Sequence, residues 1–462
     1  MKLFKKLPDT ITIILSISVV FIIMTWLIPA GEFDREIKDG KEVVVAGTYK
    51  SVAPQPQGLG ALLTAPIKGF SSAALVIAFV FLVGGAFSVI NYTGAINAGL
   101  YSTIKFSQQQ PIYKKFIIPG VTALFSLAGA TFGMSEEILV FILITNPLAK
   151  ALGYDAIVGA AIPIIGTGVG FAGAFTNPFT IGIAQGIAEI PIFSGIEYRC
   201  LVWFILTSIA CFAISHYAFK IEKSPEKSLL YGLQNEETKD YIKEEIPALT
   251  TGRKLVLLTF ALSIIVLIYG VNNHEWYINE IAGLFIALAI IAAMLCQLSI
   301  SKTVEVFIQG SKDMMTAALV IGLAKGLLVI AQDGKIIDTL LNTVAVIAKG
   351  SPKYISVEVM LIFQSSLNFF IPSGSGQAAL TMPIMAPLSD LLGISRQVAV
   401  LAFQMGDGLT NTIVPTSGVT MGALSIAKVP YDKWLKWALP VIIVLGIVSM
   451  ILLLPPLFLF EW

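Results

Sequence analysis

Five apolar runs decide what this chain can fold into. Thr10–Pro29, Leu201–Phe219, Leu255–Tyr269, Ile281–Cys296 and Trp437–Phe458 are each long enough, or nearly so, to cross about 30 Å of hydrocarbon. One such run can hide in a soluble core, but five cannot. Of 462 residues, 56% are hydrophobic and 13% charged, against about 25% charged in a soluble domain. The sequence therefore predicts an all-α polytopic membrane protein set in a lipid bilayer. A net charge of +1 points to no nucleic acid. Cys200, Cys211 and Cys296 stand singly in apolar stretches, without a CxxC or metal-ligand spacing. His216 and His274 have no partner pattern either. With no nucleophile–base or metal constellation in the chain, an enzyme is not expected.

Charge sets the expected path. The N-terminal run is longer than a signal core and lacks a small-x-small cleavage site, so it reads as a retained first helix. Lys2, Lys5 and Lys6 place its start in the cytoplasm. Residues 10–29 then cross outward, 30–68 form an external loop and 70–92 return. Residues 116–150 are too broken for one span, 156–185 cross with an interruption and 199–219 return. A polar linker, 220–254, separates the halves. Residues 255–270, 280–298 and 314–332 cross in turn, 355–392 are broken, 396–426 cross with an interruption and 436–458 exit. Of the 30 Lys and Arg, 19 fall inside and 10 outside on this path, as the positive-inside rule asks. Lys325 alone falls within a span. Lys302–Asp313 reads as a surface helix, and Trp434 with Trp437 as an aromatic anchor.

A shift of 240 residues lays one half on the other: Gly94 on Gly334, Pro147 on Pro387, Gly153 on Gly393, Gly166 on Gly406, Gly168 on Gly408, Thr176 on Thr416, Thr180 on Thr420 and Gly182 on Gly422. On the charge-based path the matched spans 70–92 and 314–332 run in opposite directions. Two inverted repeats around a central site are the signature of many secondary transporters.

Each half also carries two interruptions at matched places. The first pair, Ala128–Glu137 and Asn368–Gln377, lies between apolar runs too short to span, the pattern of a re-entrant helical hairpin with a polar tip. The second pair begins at Gly166-Thr167-Gly168-Val169-Gly170 and Gly406-Asp407-Gly408 and continues through Thr176-Asn177-Pro178 and Pro415-Thr416-Ser417. There a broken transmembrane helix is expected, with freed carbonyl oxygens for a cation and half-helix N-termini for a carboxylate. The candidate substrate-binding residues are Ser135, Glu136 and Glu137 at the first tip, and Asn368, Ser373, Gly374, Ser375, Gly376 and Gln377 at the second. The breaks add Thr176, Asn177, Pro178, Asp407, Asn411, Thr412, Thr416 and Ser417. Acids at membrane depth are functional by default, because burying them is costly. Lys325 is the candidate internal partner for one of them.

The opening KLPDTITIILSISVVFIIMTWLIPAGEF, the GMSEE tip, the GFAGAFTNPFTIGIAQ stretch and the run NFFIPSGSGQAALTMPIMAPLSDLLGISRQVAVLAFQMGDGLTN resemble the YfcC-like branch of the C4-dicarboxylate anaerobic carrier family. That family lies within a superfamily of elevator-type secondary transporters. The resemblance implies scaffold helices at 1–115, 186–354 and 427–462, and a mobile transport domain at 116–185 and 355–426. It also implies a homodimer in a bacterial cytoplasmic (inner) membrane, in which the charge-based path leaves the C-terminus external. In related carriers Ser-Asn-Thr signatures bind Na⁺. The corresponding donors here are Ser135, Asn177, Ser375 and Thr410, but the tips depart from that signature, so H⁺ coupling or plain exchange stays open. The expected function is secondary transport or exchange of amino acids, basic ones of the arginine/ornithine type. The alternative is a Na⁺- or H⁺-coupled carrier of C4-dicarboxylates or other organic anions.

Overall fold

The computed structural model describes residues 10–38, 41–45, 47–96, 98–99, 111–131, 133–232, 249–274, 276, 278–349, 351–459 and 462. Lys2, Lys5 and Lys6, and the middle of the 220–254 linker, lie outside the described residues.

The apolar runs become helices because hydrocarbon offers no partner for backbone N–H and C=O, and a helix satisfies them internally. They are α1 (Thr10–Leu27), α8 (Ile196–Lys223), α9 (Thr251–His274), α10 (Ile278–Leu295) and α18 (Tyr431–Leu453). The expected external loop at 30–68 is more ordered than its composition indicates. It holds two antiparallel pairs, β1 (Gly31–Glu32) with β4 (Lys50–Ser51) and β2 (Arg35–Lys38) with β3 (Lys41–Val44), and then helix α2 (Leu59–Ser72). Hydropathy averaging hides α2 because its apolar residues form a narrow stripe. Leu59, Leu63 and Ile67 are all exposed along one side. The segment is tied down where Arg35 Nη2 reaches both oxygens of Asp338 at 2.9–3.0 Å. Asp338 belongs to α13 (Ile337–Lys349), an amphipathic helix that the span count passes over.

The helix at 302–313 is present as α11 (Ile300–Asp313), with Ile300, Val304 and Ile308 exposed at the spacing seen in α2. Each of these amphipathic helices leads into a longer apolar one, α2 into α3 (Ala74–Tyr92) and α11 into α12 (Met315–Asp333); the second pair is bent by 40°. The four pack crosswise. On α2, Gly69 lies against the backbone of Gly322 and Gly326 in α12. On α11, Gly310 lies against Gly84 and Ser88 in α3. Small residues let helix backbones meet this closely.

The remaining elements form the first hairpin, α4 (Pro111–Thr131) and α5 (Ile138–Ala151), and the second, α14 (Lys353–Leu367) and α15 (Gly374–Leu391). Between the arms of each lies one helix, α6 (Ala156–Ala172) in the first and α16 (Arg396–Thr410) in the second. These two are the core of the protein: Gln397 through Leu409 are all buried, as is every α6 residue but Phe171. Their starts are capped alike. Asp155 accepts from Val158 N at 3.1 Å and Ser395 accepts from Gln397 N at 3.1 Å.

One expectation is corrected here. The Gly166-x-Gly168-x-Gly170 and Gly406-x-Gly408 clusters do not interrupt the helices, which run straight through them. The glycines serve close packing instead. A Cβ on Gly170 would overlap Ser126 O of α4, and one on Gly166 would stand 3.0 Å from Thr122 O. One on Gly408 would be 2.8 Å from Gly168 O, and one on Gly168 3.0 Å from Gly408 O. The two core helices thus cross at residues 240 apart in sequence. The helices end later, at 173–177 and 411–417, and resume as a π-helical turn (Pro178–Gly182) leading into α7 (Ile183–Ile187), and as α17 (Gly418–Ile426).

Trp434 is also corrected. It is fully buried and donates from Nε1 to Thr412 O at 2.9 Å, so it holds the second break rather than anchoring the chain at a membrane surface. Trp434→Phe keeps one aromatic ring but loses this bond and the pyrrole part of a fully buried indole, which is expected to cost about 2 kcal/mol or more of stability. Denaturant melts in detergent check it; an unchanged midpoint would contradict the role.

Candidate functional site

Both hairpin tips and both breaks converge where α6 and α16 cross. At the first tip Gly133 takes φ +74°, and a Cβ there would stand 2.6 Å from Asn177 Oδ1. Both facts call for glycine. Glu137 is buried and its Oε2 accepts from Ser135 N at 2.8 Å. Glu136 and Ser135 are half-buried beside it. In the first break Asn177 is fully buried. It donates to Gly129 O at 2.9 Å and accepts from Phe179 N and Thr180 N at 2.9 and 3.2 Å. Thr176 Oγ1 donates to Thr131 O at 3.3 Å, and Pro178 opens the π turn.

The second half reverses this arrangement. Here the asparagine is in the hairpin, and it reaches the core helix: Asn368 Nδ2 donates to Asp407 O at 3.0 Å and Thr410 Oγ1 at 2.8 Å. Ser373 Oγ caps Gly376 N at 3.4 Å, and Gln377 Nε2 donates to Gln364 O and Oε1 at 2.9 and 2.7 Å. Ser375 is half-buried and Gly376 exposed. Asp407 is 1% exposed. Its Oδ1 accepts from Asn411 Nδ2 at 2.8 Å, and its other oxygen lies under the tip, 2.9 Å from where a Gly374 Cβ would be. Among the described residues no basic side chain pairs with Asp407 or Glu137.

Three successive carbonyls at the start of the second break are already taken up. Asn411 O accepts from Thr420 Oγ1 at 2.6 Å, Thr412 O from Trp434, and Ile413 O from Tyr431 OH at 2.7 Å. The half-helix starts are partly taken up as well, since Asn177 and Ser417 cap the N–H groups at 180 and 420. Open polarity lies elsewhere. Thr180 Oγ1, Thr416 Oγ1, Asn368 Oδ1, Gln377 Oε1 and Gln364 Nε2 are buried without a partner, five of the twelve such atoms among the described residues. Each orphaned group costs on the order of 1–3 kcal/mol, so a cluster marks where a ligand or water completes the set. Thr180 and Gln364 are the members that sequence reasoning missed.

The four candidate Na⁺ donors fall into two sets, Ser135 with Asn177 in the first half and Ser375 with Thr410 in the second. Both lone-pair directions of Asn177 Oδ1 already face N–H groups, whereas Asn368 Oδ1 beside Thr410 is uncommitted.

Arg199 was missed outright. The apolar run starts only at Leu201, so the arginine is counted at the outer edge of the 199–219 span rather than within it, but α8 begins at Ile196 and carries it inward by a turn. It is fully buried. Its guanidinium donates to Gln404 Oε1 and, at 3.0 Å, to Gln397 Oε1, and it lies 5.0 Å over the Trp462 ring. Gln404 in turn donates to Ala174 O in the first break at 3.4 Å.

A family model described as C4-dicarboxylate anaerobic carrier (DcuC) matches residues 7–456. The chain is 34% identical over 469 aligned positions to YfcC of Escherichia coli (strain K12), which is named provisionally as a basic amino acid antiporter; the match covers 93% of this chain and 92% of that one. It is 33% identical to an uncharacterised protein of Haemophilus influenzae, over 89% of this chain and 81% of the relative. Among solved structures it is similar to the YdaH transporter of Alcanivorax borkumensis (16% identity, 98% and 99% covered, TM-score 0.42) and to MtrF of Neisseria gonorrhoeae (17% identity, 99% and 96% covered, TM-score 0.44).

Proposed function

The chain belongs to the C4-dicarboxylate anaerobic carrier family, and from that premise we infer that this multi-pass membrane transporter exchanges basic amino acids at the site between its two breaks. The observation that carries the reading is Asp407, a carboxylate buried at the crossing of the core helices with no basic side chain among the described residues to balance it. An unbalanced charge in a low-dielectric interior calls for a cation. The name of the Escherichia coli relative agrees with a cationic cargo.

That the halves are repeats is supported by the matched N-caps Asp155 and Ser395, the matched caps Asn177 and Ser417, and the mutual contact of Gly168 and Gly408; their inversion rests on the Lys/Arg bias. For alternating access we propose an elevator step, in which the hairpins and core helices move past a framework of α1–α3 and α9–α13. We place α8 and α18 with the moving body, because they pack on α4, α6, α14, α16 and each other. Assembly as a homodimer in the bacterial inner membrane, with the N-terminus inside and the C-terminus outside, rests on the resemblance and the Lys/Arg bias. A coupling cation, Na⁺ or H⁺, is proposed for the second set, Asn368 Oδ1 with Thr410 and Ser375.

A second reading is a C4-dicarboxylate carrier, favoured by the family description and by the buried Arg199 guanidinium, which has no carboxylate partner among the described residues. Substrate-induced thermal shifts of the purified protein separate the two. Arginine or ornithine raises the midpoint on the first reading, and succinate or fumarate does so on the second.

A further inference from the structure

Between α13 of the framework and α14 of the second hairpin lies a cavity of about 290 Å³, near the lower end of small-molecule pockets at about 300 Å³. Its floor is Phe363, Leu367 and Phe370, all buried, and its rim is Thr343, Ile362 and Ser366, all exposed. Only two lining residues carry a polar side chain, and both hydroxyls donate to their own helices. Thr343 Oγ1 reaches Thr339 O at 2.8 Å and Ser366 Oγ reaches Ile362 O at 2.7 Å. The lining therefore has no donor to spare for a charged or amide-bearing guest, whose burial would go uncompensated. Apolar cavities stay dry and take hydrophobic guests.

The rim shows where such a guest comes from. It continues onto exposed apolar residues of both walls, Ile355 on α14, seven residues before Ile362 and on the same face, and Val346 on α13, three residues beyond Thr343. In a multi-pass membrane protein an exposed apolar surface of this kind meets lipid tails. The cavity is thus a recess in the lipid-facing surface. Its floor reaches toward the candidate site. Leu367 immediately precedes Asn368, and Phe370, two residues past it, packs its ring 5.2 Å from that of Phe21 on α1.

We propose that this recess binds one acyl chain of a membrane phospholipid, inserted between α13 and α14 as far as Phe370. The chemistry of the lining and rim carries the binding, whatever the protein transports. The consequence rests on the elevator reading. A hydrocarbon chain reshapes without breaking a hydrogen bond, so α14 can slide past α13 without opening a destabilising void.

The test reconstitutes the full-length protein in phosphatidylethanolamine–phosphatidylglycerol vesicles with a trace of phospholipid bearing a diazirine near the end of one acyl chain. After irradiation, mass spectrometry locates the label. Residues 340–343 and 359–370 are expected to carry several-fold more of it than the exposed apolar face of α18 at Ile443, Ile447 and Ile451. Thr343→Trp, which sets an indole across the rim, is expected to lower the label to the α18 level, while Thr343→Ser leaves it high. Should Thr343→Trp fail to fold, Ser366→Trp closes the rim from the other wall. Equal labelling of the two surfaces in the wild type would overturn the proposal, because the lipid would then be ordinary surrounding bilayer. Label that survives a folded tryptophan variant would overturn it as well. A second copy of the chain is the competing occupant. Ser366→Cys, in a background lacking Cys200, Cys211 and Cys296, is expected to form no disulfide between copies on oxidation in membranes, and such a disulfide would overturn the lipid assignment. None of these readings requires transport, so their failure and a failure of amino acid exchange are told apart.

Discussion

Replacing Asp407 with asparagine is expected to cut exchange by roughly 100-fold or more, about 3 kcal/mol of lost cation stabilisation, while the empty protein becomes more stable than wild type. The two effects have one cause. The carboxylate is 1% exposed and accepts a hydrogen bond from Asn411 at 2.8 Å, which an asparagine oxygen can still accept, though more weakly. What disappears is a buried charge without a basic partner, whose cost is several kcal/mol when nothing compensates it. A purely structural aspartate behaves the other way, its loss lowering stability. Thermal unfolding of the empty variant beside wild type, together with arginine exchange, reads both signs. Glu137→Gln keeps the contact to Ser135 N, since the amide oxygen can still accept, and is likewise expected to fold and to lose exchange. Wild-type rates in both variants would take the acids out of the mechanism.

Gly408→Val should prevent a stable fold altogether. The added Cβ would stand 2.8 Å from Gly168 O and overlap Ala172 N, both backbone atoms of a fully packed helix that cannot yield as a flexible side chain does. Overpacking in a rigid core costs about 3 kcal/mol or more when backbone must move. The expected outcome is loss of the monodisperse peak in detergent. Gly446→Val, on α18 where nothing lies within 4 Å of the added carbon, is the matched control. Equal behaviour of the two would mean that the crossing of α6 and α16 is looser than described.

Much of this architecture could be read from the sequence, because apolar run length and Gly/Pro placement act locally. The five long helices, the two hairpins and the general position of both breaks follow from them. Function of individual residues was less accessible where it depends on contacts far apart in the chain. The Gly166–Gly170 cluster looks like a break in one dimension, but it becomes a packing surface once α4 and α16 lie against it. Trp434 looks like an interfacial tryptophan until Thr412 O is found beneath its indole. Arg199 was lost to a boundary error of one turn. The orphaned Thr180 and Gln364 carry no local signal at all, since an unpaired buried oxygen or nitrogen is a property of the packed state. α2 and α13 escaped for another reason: their stripes are real, but an average over the whole segment dilutes them.

Exchange chemistry at Asp407 is the centre of this account, and one transport assay bears on it directly. Proteoliposomes preloaded with ornithine are given external radiolabelled arginine, with preloaded succinate and empty vesicles as comparisons. The account expects saturable arginine uptake that depends on internal ornithine, is absent with succinate inside, and is lost in Asp407→Asn. Succinate–fumarate exchange in the wild type with arginine inert, or arginine uptake unchanged in Asp407→Asn, would contradict it.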